Sequence, residues 1–179
     1  MRKLFLVLSV IITITLAQKQ QVIIDNASSY VKYTGSHFLH NWTGQSNLIN
    51  GEILIDFEKP TMSEINLSVP ILSFDSKNGN RDSNMLFVTE QDEYPNVLFP
   101  ATEIMSVNQT NYQIKGLLNF HGIEKEIHVP VQVSINSDSM EFRATFKVNL
   151  IDFDVERPKL LLSKINEIIE VELYIKGKI

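Results

Sequence analysis

The chain has 179 residues, 44% of them hydrophobic, with 16 basic side chains against 21 acidic ones and no cysteine. That length supports one domain with its own core, the acidic balance argues against nucleic acid as a partner, and the lack of cysteine excludes both a disulfide framework and a lipid-modified cysteine. The acidic residues are scattered along the chain, which suits solubility better than recognition of a cationic partner.

Residues 1–17 carry Arg2 and Lys3, then an apolar run, then small residues at Thr15 and Ala17. This reads as a secretory signal peptide cleaved after Ala17. The apolar run is shorter than the roughly 20 residues needed to span a bilayer and is diluted by Ser9, Thr13 and Thr15. Cleavage leaves 14 basic against 21 acidic side chains, a net charge of -7. The expectation is an exported protein, periplasmic or secreted, with one domain over residues 18–179.

Strand-like alternation then recurs along the chain. Residues 30–36 form a first strand, and Ile53, Ile55 and Phe57 share one face of the next. Ile65, Leu67, Val69 and Ile71 alternate with Asn66 and Ser68, and Pro70 marks an edge, a bulge or a strand end. Residues 75–95 are a polar insertion in which Asp82 is expected to cap a short helix through Met85, Leu86 and Thr89, ending before Tyr94-Pro95. Val97 and Phe99 begin a further short strand.

The clearest signal lies in residues 112–135. Tyr112, Ile114, Gly116, Leu118 and Phe120 fall on one face, and after a turn at His121-Gly122 so do Ile127, Val129, Val131, Val133 and Ile135. Period-two alternation of this kind marks a sheet with one dry and one wet face. Phe142, Ala144, Phe146, Val148 and Leu150, then Ile169, Val171, Leu173 and Ile175, repeat the pattern. The count is about eight strands, with one or two short helices. An all-β, antiparallel, up-and-down barrel able to hold a small ligand is the expected architecture. Alternation marks an inward face without revealing what fills it.

Several segments resemble YceI-like domains in order and spacing: His40-Asn41-Trp42-Thr43-Gly44, Asn80-Arg81-Asp82-Ser83-Asn84-Met85-Leu86, Tyr94-Pro95-Asn96-Val97-Leu98-Phe99, and above all Gly116-Leu117-Leu118-Asn119-Phe120-His121-Gly122-Ile123-Glu124-Lys125. Ile151-Asp152-Phe153-Asp154 and Arg157-Pro158-Lys159-Leu160-Leu161-Leu162 are similar to the same family. The resemblance covers essentially the whole mature chain. It implies a lipocalin-like antiparallel barrel in an exported protein that binds a polyisoprenoid lipid in its interior. The expected ligand is a polyprenyl phosphate or an isoprenoid quinone, with transient membrane contact, in a monomer or homodimer without a resident cofactor, and the lack of a cysteine, a Gly-x-Ser-x-Gly element and a glycine-rich phosphate loop argues against an enzyme. Asn84, Leu117, Asp154 and Asn41 depart from the residues usual at those places.

The candidate ligand-binding residues are Trp42, Arg81, Asp82, Ile114, Gly116, Leu118, Phe120, Phe146 and Phe153. Trp42 either lines the interior or closes the barrel end. Arg81 and Asp82 either orient a phosphate or quinone head group or form a loop salt bridge and a helix cap. Gly116 either leaves room for a ligand chain or lets the strand coil. Two rival functions remain. One is a small exported metal-dependent hydrolase using His37, His40 and His121, although these histidines lack a ligand spacing. The other is a stress or structural domain without a ligand.

Overall fold

The computed structural model describes residues 19–56 and 61–179; the predicted signal peptide and the expected strand residue Phe57 lie outside the described residues. The chain forms β1 (Lys19–Gln21), β2 (Ile23–Ile24), β3 (Tyr30–His37), β4 (His40–Ser46), β5 (Asn50–Asp56) and β6 (Thr61–Pro70). A 3-10 turn (Ile71–Ser73) and the helix α1 (Gly79–Val88) follow. Then come β7 (Asn96–Ser106), β8 (Asn111–Phe120), β9 (Ile123–Ile135) and β10 (Ser139–Asn149), a second 3-10 turn (Leu150–Phe153), the short pair β11 (Lys159–Leu160) and β12 (Ser163–Lys164), and β13 (Ile168–Lys178).

The fold class is all-β and antiparallel as expected, but the strand count is larger than eight. One sheet holds eleven strands in the order β1-β5-β6-β7-β8-β9-β10-β13-β3-β4, with β2 paired to β13, and β11-β12 form a separate two-stranded sheet. The eight readable strands are β3, β5 to β10 and β13. The missing one of consequence is β4, whose inward positions are Trp42, Gly44 and Ser46 and so show no apolar alternation. It pairs with β3 so that Gly35 faces Trp42 and Tyr33 faces Gly44. Each aromatic ring lies on the opposing glycine, where a Cβ would stand 2.4–2.5 Å from it. The device covers a glycine with a cross-strand aromatic ring.

The sheet curls into a half-barrel rather than closing through a continuous ladder. At one end, the first strands bridge its two sides. β1 pairs with β5, Val22 N–H donates to Ile53 O at 2.8 Å, and Ile24 lies opposite Gly177 on β13. On the other flank, β9 and β10 pair only from Val131–Ala144 to Ile135–Met140. Their ladder ends one residue after Pro130, which has no N–H to contribute. The second 3-10 turn sits at this divergence, burying Leu150 and Phe153.

The core has two parts. Ile53, Ile55, Ile65, Ile114, Met140 and Ile175 are buried at the bridged end. Ile71, Leu118, Phe120, Val148, Leu150, Phe153 and Val155 form a second cluster toward α1. Helix α1 is capped by Asn78, whose side chain accepts the Arg81 N–H at 3.1 Å. This corrects the expectation for Asp82, which lies in the first turn and instead accepts the Ser76 N–H at 3.1 Å. The β8–β9 turn places His121 at φ 53° and Gly122 at φ 71°, the two left-handed residues of a tight hairpin turn.

Candidate functional site

Between the two core clusters lies an apolar cavity of about 80 Å³. Its walls include Val31 from β3, Phe99 from β7, Ile114 and Leu118 from β8, Phe146 from β10 and Leu173 from β13. Ile114 and Leu118 are buried, but Val31, Phe99, Phe146 and Leu173 are only half-buried, as are Tyr33, Val171 and Phe74 nearby in the same curl of sheet. Apart from Tyr33, these side chains pack against the core clusters. Inward apolar groups that retain exposure mean the interior is not sealed along the β13–β3 side.

The predicted site residues therefore divide. Ile114, Leu118 and Phe146 meet at the cavity. Gly116 shares their face, but the space above it is occupied: a Cβ there would stand 2.6 Å from the Phe99 ring and 2.8 Å from the Pro100 carbonyl oxygen. Phe120 and Phe153 pack on each other, ring centroids 5.6 Å apart, as part of the buried cluster rather than the cavity wall. Among residues the sequence reasoning did not single out, Phe99, Val31 and Leu173 matter most. Their signal was alternation alone, which does not say which inward positions border a void.

Trp42, Arg81 and Asp82 gather apart from the cavity, where β3 and β4 stand beside α1. The Arg81 guanidinium carbon lies 5.7 Å from the Trp42 ring centroid, within the range of a cation–π contact. One of its nitrogens donates to Ser76 O at a long 3.4 Å, and it joins none of the ion pairs among the described residues. A guanidinium has five N–H donors, so most of its capacity is unspent. Beside it, burial and then the negative charge of Asp82 push the Tyr33 hydroxyl up to about 12, with Arg81 and the Trp42 indole acting the other way. Tyr33 is thus a neutral hydroxyl at any ordinary pH. Phe74 completes the group, its ring 5.6 Å from that of Tyr33.

Among the described residues, no three His, Cys, Asp or Glu side chains assemble in a way that could hold a metal ion. His37 is buried and lies 2.6 Å from Ser163 Oγ. Its Nδ1 accepts the Leu39 N–H, which makes Nε2 the donor to that serine. His121 donates through Nδ1 to Phe153 O at 2.9 Å and stacks edge-on against Tyr94. Its Nε2 lies 3.2 Å from Glu90 Oε2 but lacks hydrogen-bond geometry. His40 is exposed, its ring 5.7 Å from that of Trp42.

A larger hollow of about 580 Å³ lies elsewhere, lined by Thr34, Ser36, Lys147, Arg157, Glu167 and Glu170 among others. Its charges are of both signs, with Lys147 directly opposite Glu170 on the neighbouring strand. It is shallow and polar, and it offers no enclosure for an apolar ligand.

The sequence profile of the YceI-like domain matches residues 23–177. The chain is 24% identical over 138 residues to a UPF0312 protein of Azotobacter vinelandii, covering 72% of each. It is 23% identical over 150 residues to one of Photorhabdus laumondii, covering 78% of this chain and 77% of that one. The crystal structure of Burkholderia cenocepacia BcnA superposes with a TM-score of 0.78 at 17% identity, over 86% of this chain and 98% of that one. A polyisoprenoid binding domain from Saccharophagus degradans, implicated in plant cell wall breakdown, superposes with a TM-score of 0.72 at 14% identity, over 88% and 97%.

Proposed function

The chain belongs to the YceI-like domain family, and from that membership we propose that it is a lipid-binding protein, not an enzyme, whose half-barrel holds one polyisoprenoid chain for carriage or storage. The observation that carries this reading is the unsealed apolar interior bordered by Val31, Phe99, Phe146 and Leu173. The polyisoprenoid binding domain of the same fold in Saccharophagus degradans supports the choice of ligand class. The hydrocarbon occupies the cavity, and the head group of a polyprenyl phosphate or isoprenoid quinone meets Arg81, Tyr33 and Trp42. The unspent guanidinium donors suit phosphate oxygens, and the neutral Tyr33 hydroxyl suits either head group.

Mechanism follows from burial. Each methylene withdrawn from water gains roughly 0.8 kcal/mol, so a five-carbon isoprene unit gains roughly 4 kcal/mol on the same scale. Association costs about 4–15 kcal/mol in lost freedom, which sets the useful length at about four units. The 80 Å³ cavity is well below the roughly 300–1,000 Å³ of ligand pockets. Loading therefore requires the half-buried walls to part, the Phe99 and Phe146 rings among them.

Cleavage after Ala17 belongs to the same proposal, on the strength of Arg2, Lys3, the apolar run and the small residues that follow it. Protein recovered from the producing cell should begin at Gln18; intact Met1 would overturn the export reading. For the ligand, native mass spectrometry and organic extraction of wild type and Leu173→Trp are compared. The indole fills the void beside Val31, so bound lipid should fall at least tenfold while the melting point stays within about 4 °C. Wild-type protein that is empty and takes up neither polyprenyl phosphate nor isoprenoid quinone ends the reading.

A further inference from the structure

The β11–β12 hairpin turns through Leu161 and Leu162. Leu161 sits at φ 58°, a left-handed conformation that disfavours a branched side chain and that a two-residue hairpin normally fills with Asn or Gly. Leu162 is 99% exposed and Leu161 74%. Leu161 therefore carries a conformational penalty on top of the solvation penalty that both leucines carry. A second apolar tip stands beside it. Phe38 and Leu39, at the β3–β4 turn, are 74% and 52% exposed. The hydrogen bond from His37 to Ser163 ties the two hairpins together at 2.6 Å, one residue from Phe38 and one from Leu162. Asn166 reinforces it, donating its backbone N–H to Ser36 O at 2.9 Å.

The charges around the leucine tip are equally specific. Lys159 and Lys164 are directly opposite one another across β11 and β12, an arrangement that repels. Neither takes part in an ion pair among the described residues, whereas Arg157 is paired with Glu167 at 3.6 Å. Between Arg157 and Lys164 the chain has three cations and no acid, in a protein whose formal charge is -5.

We propose that these two hairpin tips dock the protein on an anionic lipid bilayer. Leu161, Leu162, Phe38 and Leu39 insert at the headgroup boundary while Lys159 and Lys164 meet the phosphates. Protruding apolar tips flanked by unpaired lysines match a layered partner, apolar below and anionic above. The location fits a lipid carrier, because Trp42, which lies against Arg81 in the proposed head-group site, follows two residues after His40 on the same hairpin. The inference deepens the carrier reading and rests on it for its purpose, though the docking itself is testable alone.

The test uses the mature chain pelleted with phosphatidylglycerol vesicles or with phosphatidylcholine vesicles. Wild type should pellet with the anionic vesicles and at least tenfold less with the neutral ones. The double variant Leu161→Gly/Leu162→Asn puts glycine at the one left-handed position of the turn, so it should fold and melt at or above wild type yet lose at least tenfold in vesicle binding. Lys159→Glu/Lys164→Glu should lose binding to a similar extent. Wild type that ignores phosphatidylglycerol, or a turn variant that binds like wild type, overturns the proposal. So does wild type that self-associates in sedimentation instead of binding vesicles, with self-association lost in the turn variant, because the tips then serve a second copy. Organic extraction of the same samples keeps the two readings apart. Bound lipid without vesicle binding ends the docking inference alone, and vesicle binding by a protein that never takes up lipid ends the carrier reading alone.

Discussion

Gln45 and Asp75 exchange two backbone hydrogen bonds, 3.0 Å and 2.9 Å long, across the open side of the half-barrel. Among the described residues this is the one ladder contact that β4 makes beyond β3. Next to it, Ser73 Oγ donates to Pro70 O, so the 2.6 Å contact between Ser46 and Ser73 must run from the Ser46 hydroxyl. Ser46 in turn accepts the Leu48 N–H at 3.0 Å. The latch is thus a two-bond bridge backed by a directed chain of hydroxyls.

Removing the centre of that chain should loosen the latch. Ser46→Ala removes the acceptor of the Leu48 N–H and the donor to Ser73 and should cost about 0.5–1.5 kcal/mol. Hydrogen exchange at Gln45 and Asp75 should quicken relative to the β8–β9 ladder. Unchanged exchange at those two amides would mean the hydroxyl chain does not hold the side closed.

Phe99 over Gly116 predicts a coupled pair. Gly116→Ala pushes against the ring and against the Pro100 carbonyl and should cost about 1–3 kcal/mol. In a Phe99→Ala background the same change should cost less, though not nothing, because the carbonyl remains. Denaturant unfolding of the four proteins measures the cycle, and strict additivity would show that the ring yields freely. Phe99→Ala alone should take up more lipid than wild type.

Lys32 and Glu172 face each other across β3 and β13, 2.6 Å apart, with the Tyr30 hydroxyl donating to the same carboxylate at 2.7 Å. The Lys32 hydrogen bond, then that of Tyr30, holds the Glu172 carboxyl below its usual range, and Glu172 holds the Lys32 ammonium above its own. The carboxylate's contribution is present above the ordinary glutamate value and lost as acid passes through the lowered one. That of the ammonium is present below the ordinary lysine value and lost as base passes through the raised one. The stability gap between wild type and Glu172→Gln should be level from about pH 5 to pH 10 and close at both ends. Both groups are partly exposed, so its height should be no more than about 1 kcal/mol. A gap that persists at pH 2 would point to packing instead.

The helix α1 should depend on Asn78. Asn78→Ala removes the acceptor of the Arg81 N–H and should cost about 1 kcal/mol, while Asn78→Asp should cost little. Amide exchange in the first turn of α1 is the local check. If only Asp82→Ala affects it, the cap belongs to the loop bond with Ser76.

Eight strands were legible because their inward positions are large and apolar, as along Tyr112, Ile114 and Leu118. β4 escaped because Trp42, Gly44 and Ser46 carry no such rhythm; its partner's rings supply the bulk from Tyr33 across the ladder. The helix was legible but not its cap, since Asn78 and Asp82 both precede helix-forming residues and only the path of the chain through Ser76 decides between them. At the site, Ile114, Leu118 and Phe146 could be read as inward-facing. That Phe99 closes the space over Gly116 could not, because the pair meets through the shifted register between Ala101 and Glu103, a bulge with no sequence signal.

The position of β13 bears on how the chain folds in time. The last strand of the chain lies between β10 and β3 and also meets β2, joining the opening hairpin to the long meander. Ile24 finds Gly177 across almost the whole sequence. Until residues 168–178 are present, the two halves of the sheet lack the strand that couples them. Long-range pairing of this kind slows folding, so the local hairpins of the meander can close early while the join between the two halves of the sheet is the late and slow event.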